Sequence, residues 1–186
     1  LDIDNPTTFG NIIGPEYYYK VRRAMQNAQQ NAKQLIPQIA KDWEKASGYF
    51  HGDLLEYYKC EGAEHVLLSM GAIGAESKIA IDEMQMAGLK IGLARVRVIR
   101  PFPTEEIRKL GKQADLIVID RNISIGLEGA VFNEVKAALY GQSDAKATGF
   151  IAGLGGKDVT YKDIEIMCQK AIKGKATEQE WYGMED

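Results

Sequence analysis

The chain has 186 residues, a formal net charge of −3, 45% hydrophobic residues and 26% charged residues. These are the proportions of a folded globular protein, either one domain with an appendage or two small ones. The acidic balance, with no basic stripe, excludes an ordinary nucleic-acid binder. No apolar run is long enough to cross a bilayer, and no signal-peptide pattern precedes the first domain. Cys60 and Cys168 are single and far apart, so neither a metal site nor a redox pair is expected, and a reducing cytoplasm is the expected setting. The opening "LDIDNPTTFG" begins on Leu1 and reads like an interior segment, which suggests a fragment or a processed chain.

Residues 1–14 carry Pro6, Gly10 and Gly14 among polar side chains and read as an extended lead-in. A long helix is predicted from Pro15, where the missing N–H of a first-turn proline does no harm. Val21, Met25, Ala28, Ala32, Leu35 and Ile39 recur at alternating four- and three-residue spacing and form one apolar stripe. Gln26, Gln29, Gln30 and Lys33 make the other side polar. The stripe is expected to lie on the following domain, the commoner outcome, or on a neighbour, and Pro37 is expected to kink or end the helix.

The composition changes near residue 63. "HVLLSMG" (65–71) has the form of a buried parallel strand, and Ile73, Ala80, Met84 and Ala87 follow at helical spacing up to a C-terminal Gly88. "KIGLARVRVIRPFP" is the next strand, stopped by Pro101 and Pro103, with Thr104 as the expected cap of a short helix that opens on Glu105 and Glu106. "DLIVIDRN" (115–122), a helix over 128–140, the strand "ATGFIAG" and a helix from about Thr160 complete the series. Strands and helices alternating at this rhythm predict an α/β fold, a parallel sheet with helices on both faces. Arg95 and Arg97 break the apolar pattern on one face of their strand. That strand is therefore expected either at an edge or against another domain.

Ligands of open α/β sheets gather beyond the carboxyl ends of the strands. Ser69, Gly71, Arg100, Asp120, Arg121, Asn122 and the "GLGGK" loop (153–157) all fall there. The loop nevertheless fails two motif tests. A phosphate loop needs a glycine where Ile151 stands and Ser or Thr where Asp158 stands, and the dinucleotide fingerprint also needs glycine at 158. Gly153, Gly155 and Gly156 fit a tight strand-to-helix turn that uses positive φ. With Lys157, and with Ser124 and Gly126 of "RNISIGLEG", they are the candidate cofactor-binding residues. His51 and His65 have no Ser or Cys partner at a recognisable spacing, the acidic pairs Asp2/Asp4 and Glu105/Glu106 suit solvated faces, and no catalytic or metal-ligating residue is assigned. Trp181 and Tyr182 are expected to anchor the tail on a neighbouring surface.

The ordered motifs "LARVRVIRPFP", "VIDRNISIGLEG", "EVKAALYG" and "GFIAGLGGKDVT", after the opening "LDIDNPTTFGNIIGPEYYYKVRRAM", resemble the alpha subunit of pyruvate:ferredoxin oxidoreductases across the whole chain. The wider family includes enzymes for other 2-oxoacids. The resemblance implies a transketolase C-terminal-like domain within an enzyme that oxidatively decarboxylates pyruvate, forms acetyl-coenzyme A and passes electrons to ferredoxin. It also implies thiamine pyrophosphate, Mg2+, iron–sulfur clusters and coenzyme A in the parent complex. The implied partners are the other domain of the alpha subunit, the beta, gamma and ferredoxin-type subunits, and ferredoxin. Neither the Gly-Asp-Gly thiamine signature nor clustered cysteines occur in this chain, so no catalytic residue is carried over and no cofactor is expected on this segment.

The expected organisation is an extended segment and docking helix over 1–62, an α/β domain over 63–173 and a tail over 174–186. The expected role is structural, with Arg95, Arg97, Arg100 and Asn122 as interface candidates. The alternatives are a coenzyme A or nucleotide-binding domain, an assembly module acting through the long helix, and the same structural role in an oxidoreductase for another 2-oxoacid.

Overall fold

The computed structural model describes residues 2–8, 10 and 12–184. Of the expected lead-in, Leu1, Phe9 and Asn11 lie outside the described residues, as do Glu185 and Asp186 of the expected tail. The elements run α1 (Pro15–Ser47), β1 (Leu55–Tyr58), β2 (His65–Met70), α2 (Gly71–Met86), β3 (Ile91–Val96), α3 (Thr104–Gly111), β4 (Asp115–Asp120), α4 (Ala130–Leu139), β5 (Ala147–Ile151), α5 (Tyr161–Ile172) and β6 (Gln179–Trp181). A 3₁₀ turn over Leu154–Gly156 separates β5 from α5.

The predicted parallel sheet is present. Six strands lie in the order β1-β3-β2-β4-β5-β6, and every pairing is parallel except that of β1 with β3. The central strands are apolar on both sides because helices cover both. Val66, Leu68, Leu116 and Val118 point to α3 and α4, where Ile107, Phe132 and Val135 meet them. Leu67, Ile117, Ile119 and Phe150 point the other way, to Ile81 and Met84 of α2 and to Ile164 and Met167 of α5. Each such side chain taken fully from water contributes about 1.5–3 kcal/mol.

This two-sided demand explains an unusual connection. β6 lies beyond β5 in the direction that β5 lies beyond β4, yet α5 packs on the face opposite α4. The β5–α5–β6 crossover is therefore left-handed, against the strong general preference. Since α3 and α4 occupy one face, only α5 is left to cover Ile117, Ile119 and Phe150 beyond the reach of α2.

Two strands were not anticipated. "LEYY" at 55–58 is short and half polar, and it adds to the sheet as the antiparallel edge strand β1. The Trp181 region was expected to lie on a neighbouring surface. It forms β6 against β5, and Tyr182 N–H donates to the Ile151 carbonyl at 2.9 Å.

β3 is consequently not an edge strand. Arg95 is half-buried, and its Nη1 lies 3.3 Å from Glu56 Oε2 on β1. Its stem passes over Gly74 of α2, where an added Cβ would come within 2.7 Å of Arg95 Cγ. Burial pushes the Glu56 carboxyl up, but Lys78 and Arg95 outweigh it and hold the group below the usual range. Arg97 lies beyond the strand end and is exposed.

α1 departs from expectation in two ways. Pro37 does not end the helix, which continues to Ser47 and closes on Gly48 at φ 78°. Moreover, the face turned to the domain is not the apolar stripe. Lys33, Ile36, Pro37 and Ala40 are half-buried, and Lys33 Nζ donates to the Phe102 carbonyl at 3.2 Å. Docking of Ile36, Pro37 and Ala40 offsets the cost of about 3 kcal/mol that proline carries inside a helix. Most of the stripe stays in solvent, with Met25 54%, Leu35 54% and Ile39 62% exposed, while Val21 and Ala32 are half-buried. Nor is Thr104 a cap: it is the first residue of α3, and no side chain caps that helix. Pro103 stands before it, and the φ restraint of proline serves as the stop signal there.

Glu56→Ala leaves Arg95 half-buried and unpaired, and is expected to cost about 2 kcal/mol, a fall of roughly 5 °C in thermal midpoint. Because the Glu56 carboxyl titrates below its unfolded value, its contribution is present above the ordinary carboxyl range and is lost as pH falls through the folded value. Thermal midpoints compared at pH 7 and pH 3 are therefore expected to drop less in Glu56→Gln than in the parent.

Candidate functional site

The chain leaves β2 towards β3 on one side, then passes to β4, β5 and β6 on the other, so the direction of winding reverses between β2 and β4. Open α/β sheets bind ligands at such a switch point. Here the carboxyl ends of β2 and β4 flank a cleft of about 310 Å³ lined by Ala72, Ile73, Glu76, Arg121, Asp158, Val159 and Thr160.

The protein itself supplies acceptors to the starts of α4 and α5, whereas α2, whose Ala72 and Ile73 line the cleft, begins with no side-chain cap. Asp120, at the end of β4, is 1% exposed. Its Oδ1 accepts from Val131 N–H at 3.1 Å and its Oδ2 from Phe132 N–H at 2.9 Å. Asn122 adds Ala130 N–H at 2.9 Å through Oδ1 and donates to Asp120 Oδ1 at 3.1 Å. A carboxylate thus fills the N-terminus of α4, where the free amides and the helix dipole favour negative charge. Burial pushes the Asp120 carboxyl up, and the three hydrogen bonds oppose that shift. The chain turns away at Gly129, where a Cβ would come within 2.3 Å of Asp120 Oδ2.

α5 begins in a comparable way. Thr160 Oγ1 accepts from Asp163 N–H at 3.4 Å while Asp163 Oδ2 accepts from Thr160 N–H at 2.8 Å. Glu76 of α2 accepts from Tyr161 N–H at 3.2 Å. Asp163 also accepts from the Tyr182 hydroxyl at 2.8 Å. Its hydrogen bonds from Thr160, then Tyr182, hold the carboxyl below the usual range against burial, whereas burial and Asp163 push the Tyr182 hydroxyl up to about 12.

The glycine loop is a latched turn. Gly153, Gly155 and Gly156 take φ 73°, 65° and 88°, the left-handed values expected of them. Arg121 Nε donates to the Gly153 carbonyl at 2.9 Å, and its Nη2 lies 3.5 Å from the Lys157 carbonyl. The Lys157 ammonium donates to the Gly183 carbonyl, away from the cleft. Ser124 and Gly126 form a second, separate turn: Ser124 N–H donates to Glu128, its carbonyl accepts from Leu127, and Gly126 has φ 84°. The Ile125 and Leu127 side chains are exposed at its tip.

The remaining candidates do not gather here. Arg95 is occupied by Glu56, and Arg97 lines a groove of about 360 Å³ with Trp43, His51 and Val98. Arg100 pairs with Glu134 beside a cleft of about 660 Å³ between α1 and the loop before α3. His51 lies against the Tyr49 ring, and His65 opens β2 at the end of the sheet opposite the switch point. Sequence reasoning did not single out Glu76 or Asp163. The Thr-x-x-Asp spacing of a capping box was legible for Asp163, whereas nothing in the sequence marks Glu76.

No group of three or more His, Cys, Asp or Glu side chains that could hold a metal ion occurs among the described residues. The cysteines do not suit an iron–sulfur cluster, which takes four thiolates. Cys60 Sγ bonds the Leu93 carbonyl at 3.1 Å, and burial of Cys168 pushes its thiol up to about 12. The amides at the starts of α4 and α5, the natural seats of a diphosphate, already hold Asp120, Asn122, Thr160 and Glu76. The residues present therefore do not fit a cluster, and at the starts of α4 and α5 the protein's own side chains stand where a diphosphate would, whereas α2 carries no such cap.

The ordered strand ends and their loops coincide with a known family. Residues 63–164 match the pyruvate:ferredoxin oxidoreductase core domain II. The chain belongs to that family. It is 34% identical to the pyruvate synthase subunit PorA of Methanothermobacter thermautotrophicus, over 100% of this chain and 48% of that protein. It is also 34% identical to the ketoisovalerate oxidoreductase subunit VorA of Pyrococcus horikoshii, over 97% of this chain and 48% of that protein. The chain thus spans about half the length of the curated relatives it matches. Among solved structures, a split-gene transketolase in an inactive beta4 tetramer superposes with a TM-score of 0.52 at 14% identity, over 61% of this chain and 40% of that one. That likeness supports the transketolase-like fold expected from the motifs.

Asp120→Ala leaves the Val131 and Phe132 amides buried without an acceptor, and is expected to cost about 3 kcal/mol. Thermal melting is expected to fall by roughly 6–12 °C, and hydrogen exchange at those two amides is expected to accelerate ahead of the rest of α4. Asp120→Asn, which keeps one acceptor, is expected to lie between the two.

Proposed function

We propose that this chain is a non-catalytic scaffold segment of the alpha subunit of a pyruvate:ferredoxin oxidoreductase. In that reading it serves an enzyme that decarboxylates pyruvate oxidatively to acetyl-coenzyme A and delivers electrons to ferredoxin, in the cytoplasm. Thiamine pyrophosphate, Mg2+, iron–sulfur clusters and coenzyme A are held elsewhere in that assembly, among the rest of the alpha subunit and the beta, gamma and ferredoxin-type subunits. Membership of the core domain II family over residues 63–164 supports the enzyme class. The similarity to both PorA and VorA leaves a branched-chain 2-oxoacid as a second substrate reading.

The scaffold role rests on the switch point. Side chains of this domain already occupy the amides at the starts of α4 and α5, chiefly through the buried carboxylate of Asp120. What the surface offers instead is contact. Arg97 and Arg100 are exposed, although the Arg100 guanidinium also pairs with Glu134, whereas Arg95 and Asn122 use their polar groups within the domain. Arg97 and Arg100 are the residues we assign to packing against the rest of the enzyme.

Titration calorimetry of the chain with coenzyme A and with ADP tests this reading against a coenzyme or nucleotide site in the glycine loop. No saturable heat is expected for either ligand. Micromolar binding that disappears in Lys157→Ala would establish the binding domain and remove the scaffold assignment.

A further inference from the structure

α1 is the longest element of the molecule, yet none of its 33 residues is buried, whereas α2, α3, α4 and α5 each bury three or more. Its hold on the domain centres on the half-buried Lys33, Ile36, Pro37 and Ala40, about two turns of helix. On either side of that contact α1 stands off. A cleft of about 660 Å³ separates Gln26 and Gln29 from Arg100, Phe102 and Glu134. A groove of about 360 Å³ separates Ile39 and Trp43 from His51 and Arg97. Elements that share one core interdigitate and leave few voids larger than a water molecule, so this contact lacks the packing of a permanent one. The polar clamp within it is also incomplete. Lys33 Nζ donates to the Phe102 carbonyl at 3.2 Å but stands 3.8 Å from Glu106 Oε2, a buried oxygen that receives no hydrogen bond.

The connection that follows is equally lightly held. Gly48 and Gly52 take φ 78° and 81°, and the Tyr49 and Phe50 side chains between them are exposed. A Cβ added at Gly48 would meet nothing within 4 Å. Firm anchoring begins at Leu54, 3% exposed, whose carbonyl accepts from Arg97 N–H at 3.1 Å and from Val98 N–H at 3.2 Å. Pro37 adds to the imbalance: its cost inside a straight helix falls on the docked state, and a bend relieves it once the contact opens.

We propose that α1 is a hinged strap. It swings about residues 48–53 between the docked position and a released one, and the cleft and the groove open together. Its 33 residues far exceed the length of about 15 below which isolated helices are marginal in water, so release does not require melting. Gln26 stands about 33 Å along the helix from Gly48, and a tilt of about 20° carries it about 11 Å outward. The strap thereby governs access to Arg100, Phe102 and Glu134 beyond the carboxyl end of β3, the side of the sheet on which folds of this class place ligands.

Double electron–electron resonance on the full chain is the test, in a Cys60→Ser background that leaves only the buried Cys168 unlabelled. Spin labels at Gln26→Cys and Glu105→Cys, both of which line the larger cleft, read the strap. Labels at Glu105→Cys and Lys173→Cys, both within the α/β domain, serve as the reference pair. Two populations are expected for the first pair, a short one and one about 10 Å or more longer. Lys33→Ala is expected to raise the long-to-short ratio roughly fivefold, the usual net worth of one hydrogen bond. The reference pair is expected to stay single and narrow, and far-ultraviolet circular dichroism to stay unchanged. A single population in the parent, short or long, would overturn the proposal, even if Lys33→Ala alone released the helix. So would a ratio indifferent to Lys33→Ala. Loss of helical signal or broadening of the reference pair in that variant would overturn it as well, because α1 would then melt, or the domain loosen, instead of swinging.

Discussion

Every strand from β2 to β5 has to be hidden from water on both of its sides, and that demand organises the molecule. Leu67 and Leu68, adjacent in sequence, enter different cores, as do Ile117 and Val118. Once α3 and α4 are committed to one side, the other can be closed only by α2 and α5. The reversed hand of the last crossover follows from this. Burial of Ile119 and Phe150 outweighs a topological preference that a three-residue final strand resists only weakly.

The same economy of space shapes the carboxyl ends. Other proteins of this architecture place a ligand where helix starts converge. Here an aspartate at the end of β4 reaches into the first turn of α4, and a glutamate from α2 reaches into the first turn of α5. These contacts join elements far apart in the chain: Glu76 bonds the backbone of Tyr161, and Arg121 bonds that of Gly153. The region usually reserved for chemistry has become a brace between the helices and loops of the sheet's rim. The bracing accords with the scaffold role proposed above.

Much of this was legible beforehand. "HVLLSM" and "DLIVID" are continuous apolar runs, and only strands covered twice look like that. The three glycines of "GLGGK" have the backbone angles that a turn requires, and the failure of the motif at Ile151 and Asp158 pointed to a turn. The edges were not legible, because edge strands carry little signal. "LEYY" alternates half-heartedly, and "QEW" is too short to show any period. Arg95 pointed to an edge for the same reason: its strand is interior because β1, from outside the expected domain, pairs with it and supplies Glu56. In α1 the error was one of assumption. Apolar stripes usually face their own core, but here the half-polar side carrying Lys33 and Pro37 does so. Asp120 was visible as part of the strand-end set. Its role was not, because the capped amides lie eleven and twelve residues further on.

The two edge strands have a mechanical consequence. α1 leads into β1 at one margin of the sheet, and the chain finishes through β6 at the opposite margin. Five inter-strand steps separate them, about 24 Å measured across the hydrogen bonds. Such a sheet yields little to stretching along that direction. The separation of the two margins is therefore set by the number of strands between them.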